Sequence, residues 1–226
     1  MTPERRQRLE QVLERRQPDL TVLAENLHKP RNLSAVVRSC DAAGVPEIHV
    51  VPGEENVRRH WHTSQGAEKW VELRVHESTR SACAALKAAG FTLLAAHLSN
   101  QAVDYREVDY TRSTALVIGT EAFGISDEGL RWVDQEIVIP MMGMSQSLNV
   151  SVATAIVLFE AVAQRRAAGL YDRSRLPPER HARMRFEWLH PKVARYCRER
   201  GLPYPALDGD GNLLADPRGE RRSSAN

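Results

Sequence analysis

Short runs of β-branched and other apolar residues alternate with stretches of helical period along most of this chain, and that alternation limits the fold more than any other feature. Residues 19–26 (DLTVLAEN), 47–51 (EIHVV), 71–75 (VELRV), 91–96 (FTLLAA), 114–119 (TALVIG) and 136–140 (EIVIP) each read as a strand. Between the first two, Leu33, Val36, Val37 and Cys40 fall at helical spacing, with Asn32 as N-cap and Gly44 as stop. Residues 77–89 form an alanine-rich helix closed by Gly90, residues 126–132 a short helix, and residues 147–168 a long one ending at Gly169. Strands this continuous in apolar residues are buried on both faces, so the expected fold class is α/β, a parallel sheet covered by helices on both sides.

The ends differ from the middle. A charged helix is expected over residues 3–16, and past Gly169 the strand–helix alternation stops. Pro177 and Pro178 open a charged helix, residues 190–201 give another short one, and the remainder is a turn-rich tail. The expected organisation is a basic N-terminal helix (1–16), an α/β domain (17–169) and a basic C-terminal helical extension with tail (170–226).

With 226 residues, 42% of them apolar and 27% charged, the chain can bury one substantial core with appendages. Cys40, Cys83 and Cys197 lack metal-type spacing and leave an odd one over, which speaks against a disulfide framework and for a reducing cytoplasm. No apolar run reaches membrane-spanning length, so a soluble cytoplasmic protein is expected. Charge is unevenly placed: residues 1–16 carry five arginines against three glutamates, 17–163 carry twelve basic against eighteen acidic residues, and 164–200 carry eleven against four. Arginine-rich arms on an acidic body suit either a polyanion partner or solvated amphipathic helices.

In open parallel sheets ligands sit at the carboxyl ends of strands, and three stretches follow strands there. In the first (NLHKPRNLSAVVR), Ser34, Arg38 and Asp41 share one helix face; this is either a surface Arg38–Asp41 pair or an arginine held over the ligand edge beside Asn32. In the second (GTEAFGIS), Gly119 and Gly124 bracket Thr120 and Glu121, a tight turn that a ligand could approach closely. In the third (IPMMGMSQSLNVSVATAIVLFEA), a methionine-rich loop leads to Ser147, a reasonable cap, and to Asn149, an amide expected to be buried in the first turn of an apolar helix.

Other chemistries lack their signatures. No glycine-rich dinucleotide fingerprint follows a strand, and there is no P-loop, no H-E-x-x-H and no G-x-S-x-G. The DGDGN turn at 208–212 departs from a calcium loop, and His60-Trp61-His62 reads as a surface loop, so no metal is expected.

Taken together and in this order, the three stretches resemble motifs 1, 2 and 3 of the SpoU branch of the SPOUT RNA ribose 2′-O-methyltransferases. RRQPDLTV near the start, HLSNQAVDYREVDYTR (97–112) and RGLPYP (200–205) are similar to the TrmH type, so the likeness spans nearly the whole chain. The resemblance implies a SPOUT sheet whose C-terminal part is tied in a deep trefoil knot, S-adenosylmethionine as cofactor and a homodimer with the site near its interface; a membrane partner is not expected, since no apolar run is long enough to span. It implies 2′-O-methylation of a guanosine ribose in the tRNA D-loop, at position eighteen. Methylation of ribosomal RNA or of a tRNA wobble nucleotide, and a catalytically silent RNA-binding relative, are the alternatives.

Carried over by position, the implied catalytic residues are Arg38, Asn32, Glu121, Ser147 and Asn149, and the implied cofactor-binding residues are Ala96, Gly119, Ile139 and Leu148. The methionine loop would then belong to the knot. The arms, rich in Arg5, Arg6, Arg15, Arg16, Arg165, Arg166, Arg173, Arg183, Arg195 and Arg198, would hold tRNA.

Overall fold

The computed structural model describes residues 2–27, 29–53, 69–120 and 123–219. Two compact units are present, Arg15–Arg175 and a second made of Met1–Glu14 with Leu176–Asn226.

The larger unit is an α/β sheet sandwich. Its strands are β1 (Leu20–Glu25), β2 (Glu47–Val51), β3 (Glu72–Val75), β4 (Thr92–Ala96), β5 (Val103–Asp104), β6 (Thr114–Ile118) and β7 (Gln135–Val138). They form one seven-stranded sheet in the order β3-β2-β1-β6-β4-β7-β5, and every neighbouring pair is parallel. All carboxyl ends therefore lie on one edge.

Helices cover both faces, as the apolar strands require. With α2 (Pro30–Ala42) and α5 (Val150–Ala167) on one side, Val36, Val37 and Leu158 pack on Val22, Leu116 and Ile118. On the other side α3 (Thr79–Ala88) and α4 (Asp127–Leu130) bring Ala82, Cys83 and Leu86 onto Leu23, Ala95 and Val117. Successive residues of one strand thus feed opposite cores.

Three local expectations are corrected. Asn32 is not the N-cap of α2: the helix starts at Pro30, which fits the first turn because the N–H it lacks would have had no partner there. Asn149, not Ser147, caps α5, its Oδ1 accepting from Ser151 N at 2.9 Å, and the long helix begins at Val150. Asn149 is also exposed rather than buried. The two-residue β5, too short to leave a periodic signal, exists only through its pairing with β7.

Two arginines expected on an RNA-facing surface are instead wholly buried in this unit. Arg165 donates to Asp19 Oδ1 at 2.7 Å, Gln17 Oε1 at 3.0 Å and the carbonyls of Asp19, Tyr110 and Arg112. Arg16 donates to Asp41 Oδ1 at 2.6 Å and to the carbonyls of Asp41, Val45 and Trp70. A buried guanidinium needs such partners, and at this depth neither side chain can reach a phosphate.

The smaller unit holds α1 (Pro3–Glu14), α6 (Pro178–Leu189) and α7 (Pro191–Arg200). Phe186, Val193, Ala194 and Cys197 form its core with Tyr204, whose ring stacks on Phe186 at 4.5 Å. Arg185 pairs with Glu10, and Arg6 with Asp210. Among the described residues no helix is long and apolar enough to cross a membrane.

Candidate active site

A cavity of about 310 Å³ opens at the carboxyl edge of the sheet, where β4, β6 and β7 end. Its floor is apolar: Ile118, Ile137 and Ile139 come from strand ends, and Val150, Ala153 and Val157 from the first turns of α5. Its rim is polar, with His97, Thr120, Gln146 and Ser147. A concave apolar base with a few convergent polar groups is the usual form of a small-molecule site.

The motif-2 turn makes one wall. Thr120 and Gly124 exchange backbone hydrogen bonds of 2.8 and 2.9 Å, and Gly124 has φ +68°, a conformation open to glycine. A Cβ at Gly119 would stand 1.9 Å from the Gly124 carbonyl oxygen, so only glycine allows the turn to close. Phe123 N donates to Thr120 Oγ1 at 2.9 Å.

The loop over residues 141–149 makes the opposite wall. Met141, Gln146, Ser147 and Leu148 line the cavity, while Met142 and Met144 are 93% and 99% exposed. Its last residue, Asn149, donates Nδ2–H to Asn32 Oδ1 at 3.3 Å, tying the start of α5 to the first turn of α2.

Of the residues chosen from sequence, Ala96, Gly119, Ile139, Leu148 and Ser147 are brought to one cavity. Asn32 and Asn149 are brought to each other. Arg38 is exposed on α2 and does not line the cavity, while the nearby Asp41 accepts from Arg16. Glu121 lies outside the described residues, as do residues 60–62. Sequence reading missed His97, Thr120 and Gln146; His97 and Thr120 follow closely on β4 and β6, the place where the strand-end rule looks for ligand contacts.

No cysteine lines this cavity. Burial pushes the Cys40 thiol well up and the Cys83 thiol up to about 11, so neither is a thiolate at neutral pH. Among the described residues no group of three or more His, Cys, Asp or Glu side chains stands together as metal ligands would.

Residues 19–159 match the profile of the SpoU rRNA Methylase family, and residues 163–216 that of the SpoU rRNA methylase C-terminal region. The chain belongs to the SpoU methylase family. The tRNA (guanosine(18)-2′-O)-methyltransferase of Escherichia coli K12 is 46% identical over 96% of this chain and 95% of its own. The A. aeolicus TrmH/SpoU tRNA modifying enzyme has a similar structure, with TM-score 0.75 and 41% identity over 84% of this chain and 97% of the other. An AdoMet-bound rRNA methyltransferase from Sinorhizobium meliloti matches with TM-score 0.59 and 28% identity over 70% and 60% of the two chains. The SpoU match covers the first two stretches that carry the site and the third as far as Phe159.

Proposed function

We propose that this chain is a tRNA (guanosine 2′-O)-methyltransferase that modifies guanosine 18, using S-adenosylmethionine in the cavity at the carboxyl edge. The observation that carries the reading is the convergence of Ala96, Gly119, Ile139 and Leu148, from three separate segments, on that one cavity. The guanosine target rests on the 46% identity, over 96% of this chain, to an enzyme named for it.

The cavity fits such a cofactor. Apolar walls from Ile118, Ile137, Ile139 and Leu148 suit a flat heteroaromatic ring, and the polar rim suits an amino-acid end. When bound, S-adenosylmethionine supplies an electrophilic methyl group. Ala96, Gly119, Ile139 and Leu148 hold and orient the bound molecule, and Ser147 adds a hydroxyl at the rim. Asn149 and Asn32 fix the loop that carries Ser147 and Leu148. Glu121 belongs to the site through the motif-2 match.

Arg38 acts on the RNA side. A guanidinium presents its donors in a planar fork and has no acceptor, so it serves best as a two-pronged clamp on the substrate phosphate, which aligns the ribose hydroxyl.

We take the loop after β7 to be tucked into a deep trefoil knot, one of the few exceptions to unknotted topology. Membership of the family supports this, as does the loop's place along the cavity. The active form is a homodimer in the cytoplasm. Its support is α5, apolar almost all round, where Val152 and Phe159 are 47% and 53% exposed in the single chain.

Incubation with radiolabelled S-adenosylmethionine and unmodified tRNA, followed by nucleoside analysis, tests the reading. Label should appear as 2′-O-methylguanosine in the D-loop, and Arg38→Ala should abolish it. Label in ribosomal RNA or at the wobble nucleotide instead would overturn the substrate. No binding of S-adenosylmethionine would overturn the enzyme.

A further inference from the structure

We infer that Glu25 is a positioning residue for the cavity, holding the turn closed by Thr120 and Gly124 in place through Ser126. The inference rests on the reading of that cavity as the S-adenosylmethionine site.

Glu25 is the last residue of β1, 1% exposed, and does not line the cavity. Its Oε1 accepts from Thr79 Oγ1 and from Ser126 Oγ, each at 2.5 Å, and its Oε2 accepts from Ser126 N at 2.9 Å. Among the described residues its side chain meets only these neutral donors, and no cation pairs with it. Burying a carboxylate without a cation is costly, and an apolar side chain of similar size would burden the fold less. The charge therefore calls for a geometric reason.

Ser126 supplies one. It is grasped through both its hydroxyl and its backbone N–H, and its Oγ in turn accepts from Gly129 N at 3.1 Å as the N-cap of α4. Gly129 clears the space for this clamp: a Cβ there would stand 2.8 Å from Ile125 Cγ2 and 3.2 Å from Glu25 Oε2. Two residues before Ser126 lies Gly124, which faces Thr120 across the paired hydrogen bonds and leaves no room for a Cβ at Gly119. Gly119, Thr120 and Gly124 all line the cavity, so a shift at Ser126 is passed to its wall.

Glutamine keeps the size of Glu25 but turns an N–H group toward one of the donors now satisfied, so Glu25→Gln disturbs this clamp and little else. Glu25→Gln and Ser126→Ala should each weaken S-adenosylmethionine binding about tenfold by calorimetry, as the loss of one charged hydrogen bond would. The double variant should bind no more weakly than either single one, since both break the same link. Ala85→Gly, a destabilising change on the exposed face of α3 away from the clamp, should lower Tm while leaving the binding constant unchanged. Amide exchange at Ser126 and Gly124 should quicken in Glu25→Gln without any ligand present.

Wild-type affinity in Glu25→Gln, or effects of the two variants that multiply, would overturn the positioning role. Failure of the wild-type protein to bind S-adenosylmethionine would instead remove the cofactor reading, and the exchange measurement would still decide whether Glu25 holds the turn.

Discussion

Asn149 gives its side-chain N–H to Asn32 across 3.3 Å while its carbonyl oxygen caps α5, so one amide closes a helix and ties motif 3 to motif 1. The two roles can be separated. Asn149→Ala should lose about 1 kcal/mol of stability as the cap disappears. Asn149→Ser keeps a capping oxygen but is too short to reach Asn32, so urea unfolding should stay close to wild type while methyl transfer falls. Equal activity in Asn149→Ser and wild type would show that the tie has no functional weight.

Phe159 and Val152 lie exposed on α5, seven residues apart and so on one face. If that face joins two copies, Phe159→Glu places a charge in an apolar interface. Light scattering should then find the 25.4 kDa single chain where wild type gives twice that mass. A Phe159→Glu dimer of undiminished stability would exclude this face.

Arg165 and Arg195 are predicted to behave in opposite ways although both lie in the basic stretch. Arg165 is wholly buried, so Arg165→Ala should cost about 3 kcal/mol in urea unfolding by leaving the carbonyls of Asp19, Tyr110 and Arg112 without their donor, while Arg175 still pairs with the Asp19 carboxylate. Arg195 is exposed on α7, and Arg195→Ala should change stability by less than about 0.5 kcal/mol. If Arg195 meets a phosphate, that variant should also lower the salt dependence of tRNA binding by about one ion.

His76 gives a pH dependence to stability. Burial, the neighbouring His49 imidazole at 2.8 Å and Arg74 together hold its pKa below the ordinary 6.5, with Glu47 opposing them. The unfolded chain therefore takes up a proton that the folded one resists. Stability from this source is complete above 6.5 and declines as pH falls through that value toward the folded pKa. Denaturant midpoints measured between about pH 8 and 5 should fall on the acid side, and His76→Gln should flatten the curve.

The sequence by itself determined the alternation of strands and helices, the covering of the sheet on both faces and which stretches follow the strands at their carboxyl ends. Those features depend on periodicity and on what lies just beyond a strand, which are local properties. β2 spans residues 47–51 as read, and Gly44, at φ +80°, ends its helix as expected of a residue open to the left-handed region. Only the tertiary structure decided the rest, because burial and partnership are set by residues distant in the chain. Asn149 and Asn32 are separated by 117 positions, Ser126 and Glu25 by 101, and Arg165 and Asp19 by 146. An arginine in a basic run reads as a surface cation until a carboxylate and four other acceptors, carried by distant segments, close around it. A glutamate ending an apolar strand likewise shows its role only when a serine from beyond β6 and a threonine at the start of α3 reach it.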